Sequence, residues 1–433
     1  MDLGIQNNKG ITLIALVVTI VILIILGGIS ISMLTGQNGI LKKSQQAKEK
    51  TEISNELENV KLTTFSALTQ NGTLIEKEEF QNILSQQKID LEFIEENNKS
   101  IIYKGLQYYI INKLSGNIDT LQIYWKNNGD GTLVSSDGAK VEIGDYINYD
   151  ALLENKTENV NATSEKEKNG SKDQNYSIIS CKWQILNAED GKLQIISEDT
   201  VGSLSLYGRK GAINGVDELN NICKIYGNGK YALSARSVNV DDINSLTKYD
   251  PDKEKWRNNG IEGYGKKTTY KYLIDENGEH KLYYKSDNDD YKESEFNNFG
   301  YIKNNIWNDL TYGNEITIYN TAYRYDIEKY ISKDSKIYNM IFNNSDSNIG
   351  YWLASSYSFG RPNGPGPEYD LFRVKGKVVD CYIYYGYVDG LCWARGTQST
   401  LTYDIRPIVT LNKDITLKLN KEENNYNTFD IDI

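Results

Sequence analysis

The sequence predicts an α+β protein: a long N-terminal transmembrane and stalk α-helix, a small α/β module, and then a mainly β domain. Three observations carry this. Residues 11–34 hold no charged side chain. Ile53, Leu57, Val60 and Leu68 then recur along one helical stripe. From Asp90 onward, short apolar and aromatic runs alternate with polar residues. They are divided by Asp-Gly and Asn-Gly pairs, the mark of antiparallel hairpins. A chain of 433 residues also exceeds one ordinary core.

The elements follow in order. The run "ITLIALVVTIVILIILGG" begins at Ile11 and stays apolar to Leu34. As a helix it reaches about 36 Å at about 1.5 Å per residue, enough for a bilayer core of about 30 Å. A secretory signal has an apolar core of only about 7–15 residues, so a retained membrane anchor is expected. "TGQNG", residues 35–39, places two glycines at the membrane surface. Helical spacing then resumes, giving a stalk over residues 35–70 that faces its own domain or a neighbouring subunit. A module at 71–125 contains a helix at "EKEEFQNILSQQ", residues 76–87. Strands follow, with turns at Asn97-Asn98 and Lys104-Gly105.

The mainly β domain covers 131–412 after the linker "NNGDGT". A hairpin is expected at 133–150, turned by Asp137-Gly138, and another at 181–199, turned near Asp190-Gly191. Between them, residues 152–177 are polar and charged and read as an exposed, mobile insertion. Residues 216–228 read as a helix with Leu219, Ile222 and Cys223 inward. Residues 268–287 form a hairpin around Asn277-Gly278, with His280 on the solvent side of its second strand. Residues 413–433 read as a polar tail, with no sortase-type signal for covalent attachment.

Composition excludes several functions. The formal charge is −11, whereas a nucleic-acid reader carries a basic face. A single histidine argues against a His-based metal site or a Ser-His-Asp relay. The four cysteines (Cys181, Cys223, Cys381 and Cys392) include no C-x-x-C pair, so a zinc knuckle is not expected.

Lys9-Gly10 directly before "ITLIAL" resembles the type IV prepilin leader. The resemblance implies that a prepilin peptidase cuts after Gly10 and that Ile11 becomes the methylated N-terminus. Residues 1–10 are then the leader and residues 11–34 the transmembrane helix. Thr12, Leu13, Ile14 and Leu16 fit the pattern. Ala15 stands where the family has a glutamate that neutralises a neighbour's N-terminal amine inside the filament, which puts ordinary assembly in doubt. Lys42, Lys43, Lys48 and Lys50 would by charge bias alone place the C-terminal side in the cytoplasm. The resemblance points outward instead, to a single-pass protein of the bacterial cell membrane with an extracellular C-terminal domain. A long helix followed by a small sheet is also the architecture of pilin-like subunits.

"GDYINYD", "WQIL", "SARSVNVDDIN", "YWLAS" and "RPIVTL" resemble the bacterial C-type-lectin-like domains related to formylglycine-generating enzymes. This implies a ligand-binding surface for a protein or glycan, and a role in adhesion. The implied partners are the prepilin peptidase, the membrane and other pilin-like subunits; no nucleic acid is expected. An enzyme of the formylglycine-generating type would need a copper- or calcium-dependent activity involving Cys381 or Cys392. No catalytic residue is assigned, and a binding protein rather than an enzyme is expected.

The residues that bear on chemistry are few. Cys381 and Cys392 bracket "YIYYGYVDGL" and would form a disulfide if the chain folds back near residues 387–390. Tyr382, Tyr384, Tyr385, Tyr387 and Trp393 are candidate ligand contacts, since rigid amphipathic rings give contact area at low entropic cost. The alternative, that these tyrosines pack the sheet, stands beside it. No cofactor is expected. "SDNDDYKESE", residues 286–295, leaves a calcium site open but reads equally as a solvated loop. "GIEGYGKK" lacks the Ser or Thr of a phosphate loop.

Overall fold

The computed structural model describes residue 20 and residues 40–71, 74–151, 157–162, 172–251, 268–274, 280–286, 292–294, 301–303, 306–308, 323–342, 350–359, 368–380, 391–393 and 400–432. The chain divides into two compact units, Met1–Gln122 and Ile123–Ile433. Both mix helix and sheet, and the second is mostly β.

The first unit opens with α1 (Ile40–Asn71), a helix of 32 residues. At about 1.5 Å per residue it spans roughly 48 Å. Residues 43–52 are exposed, whereas Val60, Thr63, Thr64 and Ala67 are buried on one stripe. That stripe packs on α2 (Lys77–Gln87) and on an antiparallel meander of four strands. These are β1 (Glu92–Glu96), β2 (Ser100–Lys104), β3 (Tyr108–Asn112) and β4 (Ile118–Leu121). Phe80, Ile83, Ile101, Tyr103, Tyr109 and Ile111 complete the core. Lys88 ends α2 in the left-handed conformation and donates its backbone N–H to Ser85. Glu56 ties α1 to the β2–β3 turn: its Oε1 accepts from Leu106 N and from Tyr109 Oη, both at 2.7 Å. Stalk and small module are thus one packed body, where the sequence suggests two successive segments. Among the described residues no helix is long and apolar enough to cross a membrane; the expected span at 11–34 lies outside them except for Ile20.

The second unit begins with a three-stranded sheet of β5 (Trp125–Asn127), β6 (Thr132–Ser135) and β7 (Lys140–Glu142). Next come β8 (Tyr146–Asn148), the paired β9 (Thr157–Ala162) and β10 (Lys172–Ser177), β11 (Trp183–Glu189), β12 (Lys192–Ser197) and β13 (Ser203–Tyr207). Helix α3 (Gly208–Lys224) leads through a 3-10 turn to β14 (Ala232–Ser237) and α4 (Val240–Thr247). An excursion carries β15 (Thr268–Ile274), β16 (His280–Ser286), β17 (Lys292–Ser294), β18 (Tyr301–Lys303) and β19 (Ile306–Asn308). After β20 (Tyr325–Asp326) and α5 (Lys336–Phe342) come β21 (Tyr351–Phe359), β22 (Glu368–Lys375), β23 (Val378–Asp380) and β24 (Cys392–Trp393). The chain closes with β25 (Thr400–Asp404), β26 (Pro407–Leu411), β27 (Thr416–Glu423) and β28 (Tyr426–Asp432).

Two seven-stranded sheets hold the core. One runs β14-β26-β12-β11-β8-β28-β27, and the other runs β13-β25-β21-β22-β23-β20 with β24 also on β22. Helix α3 packs on β14 of the first and on β13, β21 and β22 of the second. The Asp190-Gly191 turn falls where the sequence places it, both residues at positive φ. Residues 157–162 and 172–177 of the expected mobile insertion are paired strands. The expected polar tail is a correction: β28 lies parallel to β8 inside the first sheet, and Phe429 is buried. Its apolar residues are sparse but alternate, so Leu417, Phe429 and Ile431 reach the core while the intervening polar residues face outward. Trp125 Nε1 also donates to Ile415 O at 2.8 Å, which joins the start of the unit to its end.

Candidate functional site

Of the expected contact residues, Trp393 alone falls among the described ones, placed by its backbone at the end of β22. Here the C-terminal part of β21 pairs antiparallel with β22, from Ser356 opposite Leu371 to Phe359 opposite Glu368. On the other edge of β22, β24 pairs Cys392 with Tyr369 and Trp393 with Glu368. The sequence builds this end from a strand that is apolar on both faces. Leu371, Phe372 and Val374 are all buried, because α3 covers one side. Gly215 of α3 lets the helix approach: a Cβ there would lie 3.1 Å from a Leu371 methyl and 2.7 Å from one of Leu206.

Beneath this end lies a buried ion pair. Asp370 and Arg373 have side chains 0% and 1% exposed, with Nη1 to Oδ2 at 3.1 Å. The Asp370 carboxylate also accepts from Leu371 N at 2.7 Å, from Tyr357 Oη at 3.4 Å and from the backbone N–H of Leu391. The Arg373 guanidinium sits 5.2 Å from the centroid of the Tyr403 ring. Tyr403 in turn meets Trp352 edge-on at 4.8 Å, and Trp352 Nε1 donates to Leu204 O at 2.8 Å. Burial pushes the Asp370 carboxyl upward, opposed by Arg373 and by the donated hydrogen bonds.

This arrangement can anchor and orient chain, and its charged atoms are closed to solvent. Among the described residues no group of three His, Cys, Asp or Glu side chains stands close enough to share a metal ion. The calcium reading at 286–295 lies mostly outside the described residues. Arg406 of the "RPIVTL" motif is also structural. It is buried and donates to the carbonyls of Ser197 at 2.8 Å, Ile341 at 3.2 Å and Glu198 at 3.2 Å. His280 sits in β16, the second strand of the expected hairpin.

Of the residues singled out by sequence, Gly10, Ile11, Cys381, Tyr382, Tyr384, Tyr385 and Tyr387 lie outside the described residues. The Cys381–Cys392 disulfide therefore lies outside them too. Cys392 and Trp393 are placed by their backbone, side by side in β24. Cys181 and Cys223 are free thiols, Cys223 fully buried, and burial pushes each up to about 12.

Many described tyrosines pack the core. Tyr249 stacks on Tyr325 at 3.9 Å, and Tyr323, Tyr330 and Phe372 complete the cluster. The packing alternative for Tyr382, Tyr384, Tyr385 and Tyr387 lies outside the described residues.

Sequence reasoning passed over Asp370 and Arg373. Their signal was two opposite charges set inside the apolar run "YDLFRV". Strict alternation would assign them to opposite faces, which hid their pairing. No family model matches the chain, and no curated protein or solved structure matches it either.

Proposed function

We propose that this chain is a membrane-anchored, pilin-like surface protein that displays a C-type-lectin-like ligand-binding domain outside the cell. A prepilin peptidase cuts it after Gly10, and Ile11 is the methylated N-terminus of the mature protein. The observation that carries this reading is α1. It follows the apolar run at 11–34, leaves residues 43–52 exposed, and seats only its C-terminal half on a four-stranded meander. A helix with one free half and one packed half is what a stalk between an anchor and a folded body requires. The second unit supports display. Its last strand β28 pairs with the early strand β8 in one sheet, and the polar and tyrosine-rich stretches fall between core strands in the sequence.

A second reading, an anchored adhesin or receptor that never assembles, is favoured by Ala15 in place of an acidic residue. One experiment tests the shared premise: intact mass and terminal peptide mapping of the chain expressed with a prepilin peptidase. The expected product starts at methylated Ile11. A chain still starting at Met1 would remove the pilin-type processing, and a cut near Gly28 would remove the anchor as well.

A further inference from the structure

β23 and β24 lie on the same edge of β22, and both run antiparallel to it. Asp380 faces Arg373 and Val378 faces Lys375. Had β23 continued in register, Tyr384 would face Tyr369; Cys392 faces it instead, eight residues later. Between Arg373 and Tyr369 the register along this edge of β22 therefore jumps by eight residues. Leu391, directly before Cys392, is 0% exposed.

We propose that Asp370 is a positioning residue: its buried carboxylate accepts from Leu391 N–H, and so fixes the register in which residues 391–393 meet β22. The inference deepens the surface-display reading and rests on it for the ligand, since Trp393 is one of the expected contacts. The geometry is independent of that reading. Among the described residues, the groups around Asp370 include Arg373 on its own strand, Tyr357 on β21 and, through Arg373, Tyr403 on β25. The side toward α3 presents Gly215 against Leu371. Arg373 holds the carboxylate in place, and Leu391 N–H is the group that gains an address from it.

The test is peptide-resolved hydrogen exchange on the full chain, reading the amides at 391–393 against those of the β21–β22 ladder. The informative variant is the double replacement Asp370→Leu with Arg373→Met, which exchanges the ion pair for apolar groups of similar size and keeps the strand packed. If the pair only stabilises the fold, the double variant matches the wild type everywhere. If Asp370 fixes that register, exchange at Leu391 rises by about 10- to 100-fold, the range of a lost hydrogen bond to a charged acceptor, while the ladder amides do not change. Unchanged protection at Leu391 in a folded double variant would overturn the proposal. Should that variant not fold, Asp370→Asn carries the test. It retains only a neutral acceptor, so Leu391 exchange should rise about tenfold without a rise in the ladder; equal changes at both, or none, would overturn it. No ligand enters this measurement, so its failure would leave the surface-display reading standing, and a failed leader cleavage would leave Asp370 in its role.

Discussion

Lys336→Met is the perturbation that best probes how the second unit is closed. Lys336 begins α5, and its Nζ lies 2.6 Å from Asp145 Oδ1 and 2.7 Å from Glu142 Oε2. The Asp145 side chain is 0% exposed and that of Lys336 is 19% exposed. Asp145 also accepts backbone N–H groups from Glu142 and Asn427, each at 3.1 Å. The site therefore joins α5, the turn before β8 and the start of β28. Gly144, at φ +95°, lets that turn press on the lysine stem.

At an effective dielectric of about 20, opposite charges about 4 Å apart attract by about 4 kcal/mol. Dehydrating the ammonium offsets part of this. Removing one partner of a buried pair costs about 3–5 kcal/mol when nothing else compensates the other. Here two backbone donors remain on Asp145 and the ammonium is partly hydrated, so the expected loss is about 2–3 kcal/mol. All six tryptophans lie beyond residue 122, so tryptophan fluorescence during urea unfolding reports this unit alone. Adding Asp145→Asn to Lys336→Met should recover part of the loss, because it removes the uncompensated charge and keeps an acceptor. The carboxylates hold the Lys336 ammonium above its ordinary pKa, against the opposing effect of burial. A raised folded pKa means the contribution is complete below the unfolded lysine value of about 10.4 and fades as pH rises through the folded one. Wild type and Lys336→Met should therefore converge at strongly alkaline pH. A loss below about 0.5 kcal/mol at neutral pH, the range of an ordinary surface pair, would refute the reasoning.

Three further outcomes are expected. Trp352→Phe removes the 2.8 Å bond to Leu204 O and leaves a gap beside Tyr403. It should cost about 2–3 kcal/mol in the same urea assay. Asn239 caps α4 in a reciprocal box with Asp242, so Asn239→Ala should cost about 1 kcal/mol, read as a shift of the urea midpoint at constant slope. With their thiols pushed up to about 12, Cys181 and Cys223 should resist alkylation at pH 8 in the folded chain and react on unfolding. Peptide mapping that finds Cys223 labelled at the unfolded rate in native protein would contradict its burial.

Local chemistry made the hairpins legible. Gly138, Asp190 and Gly191 carry the positive φ values that tight turns demand, and both turns stand where the sequence puts them. The helix expected at 76–87 begins one residue later, at Lys77. What escaped was set by tertiary contact. Helix α3 starts at Gly208, eight residues before the expected Val216, because Gly211 and Gly215 lower helix propensity in isolation. In the fold both glycines are required for approach: a Cβ on Gly211 would lie 3.0 Å from Leu206 Cβ. The last hairpin escaped because its polar face dominates its composition, although Phe429 and Ile431 alternate toward the core. The Asp370–Arg373 pair escaped because it depends on a register jump along one edge of β22, which a pattern of period two does not encode.

That jump also accounts for charge in a place where apolar residues would serve stability better. Desolvating a carboxylate and a guanidinium costs several kcal/mol each, and well-packed apolar pairs of similar size often match or exceed a buried ion pair. An apolar pair cannot accept a backbone N–H. A buried amide without an acceptor is as expensive as a lost hydrogen bond. Asp370 supplies that acceptor from within the facing strand, and Arg373 balances the charge it brings. The pair is therefore best understood through the register it enforces: it specifies that Leu391, and no neighbouring residue, returns to the core.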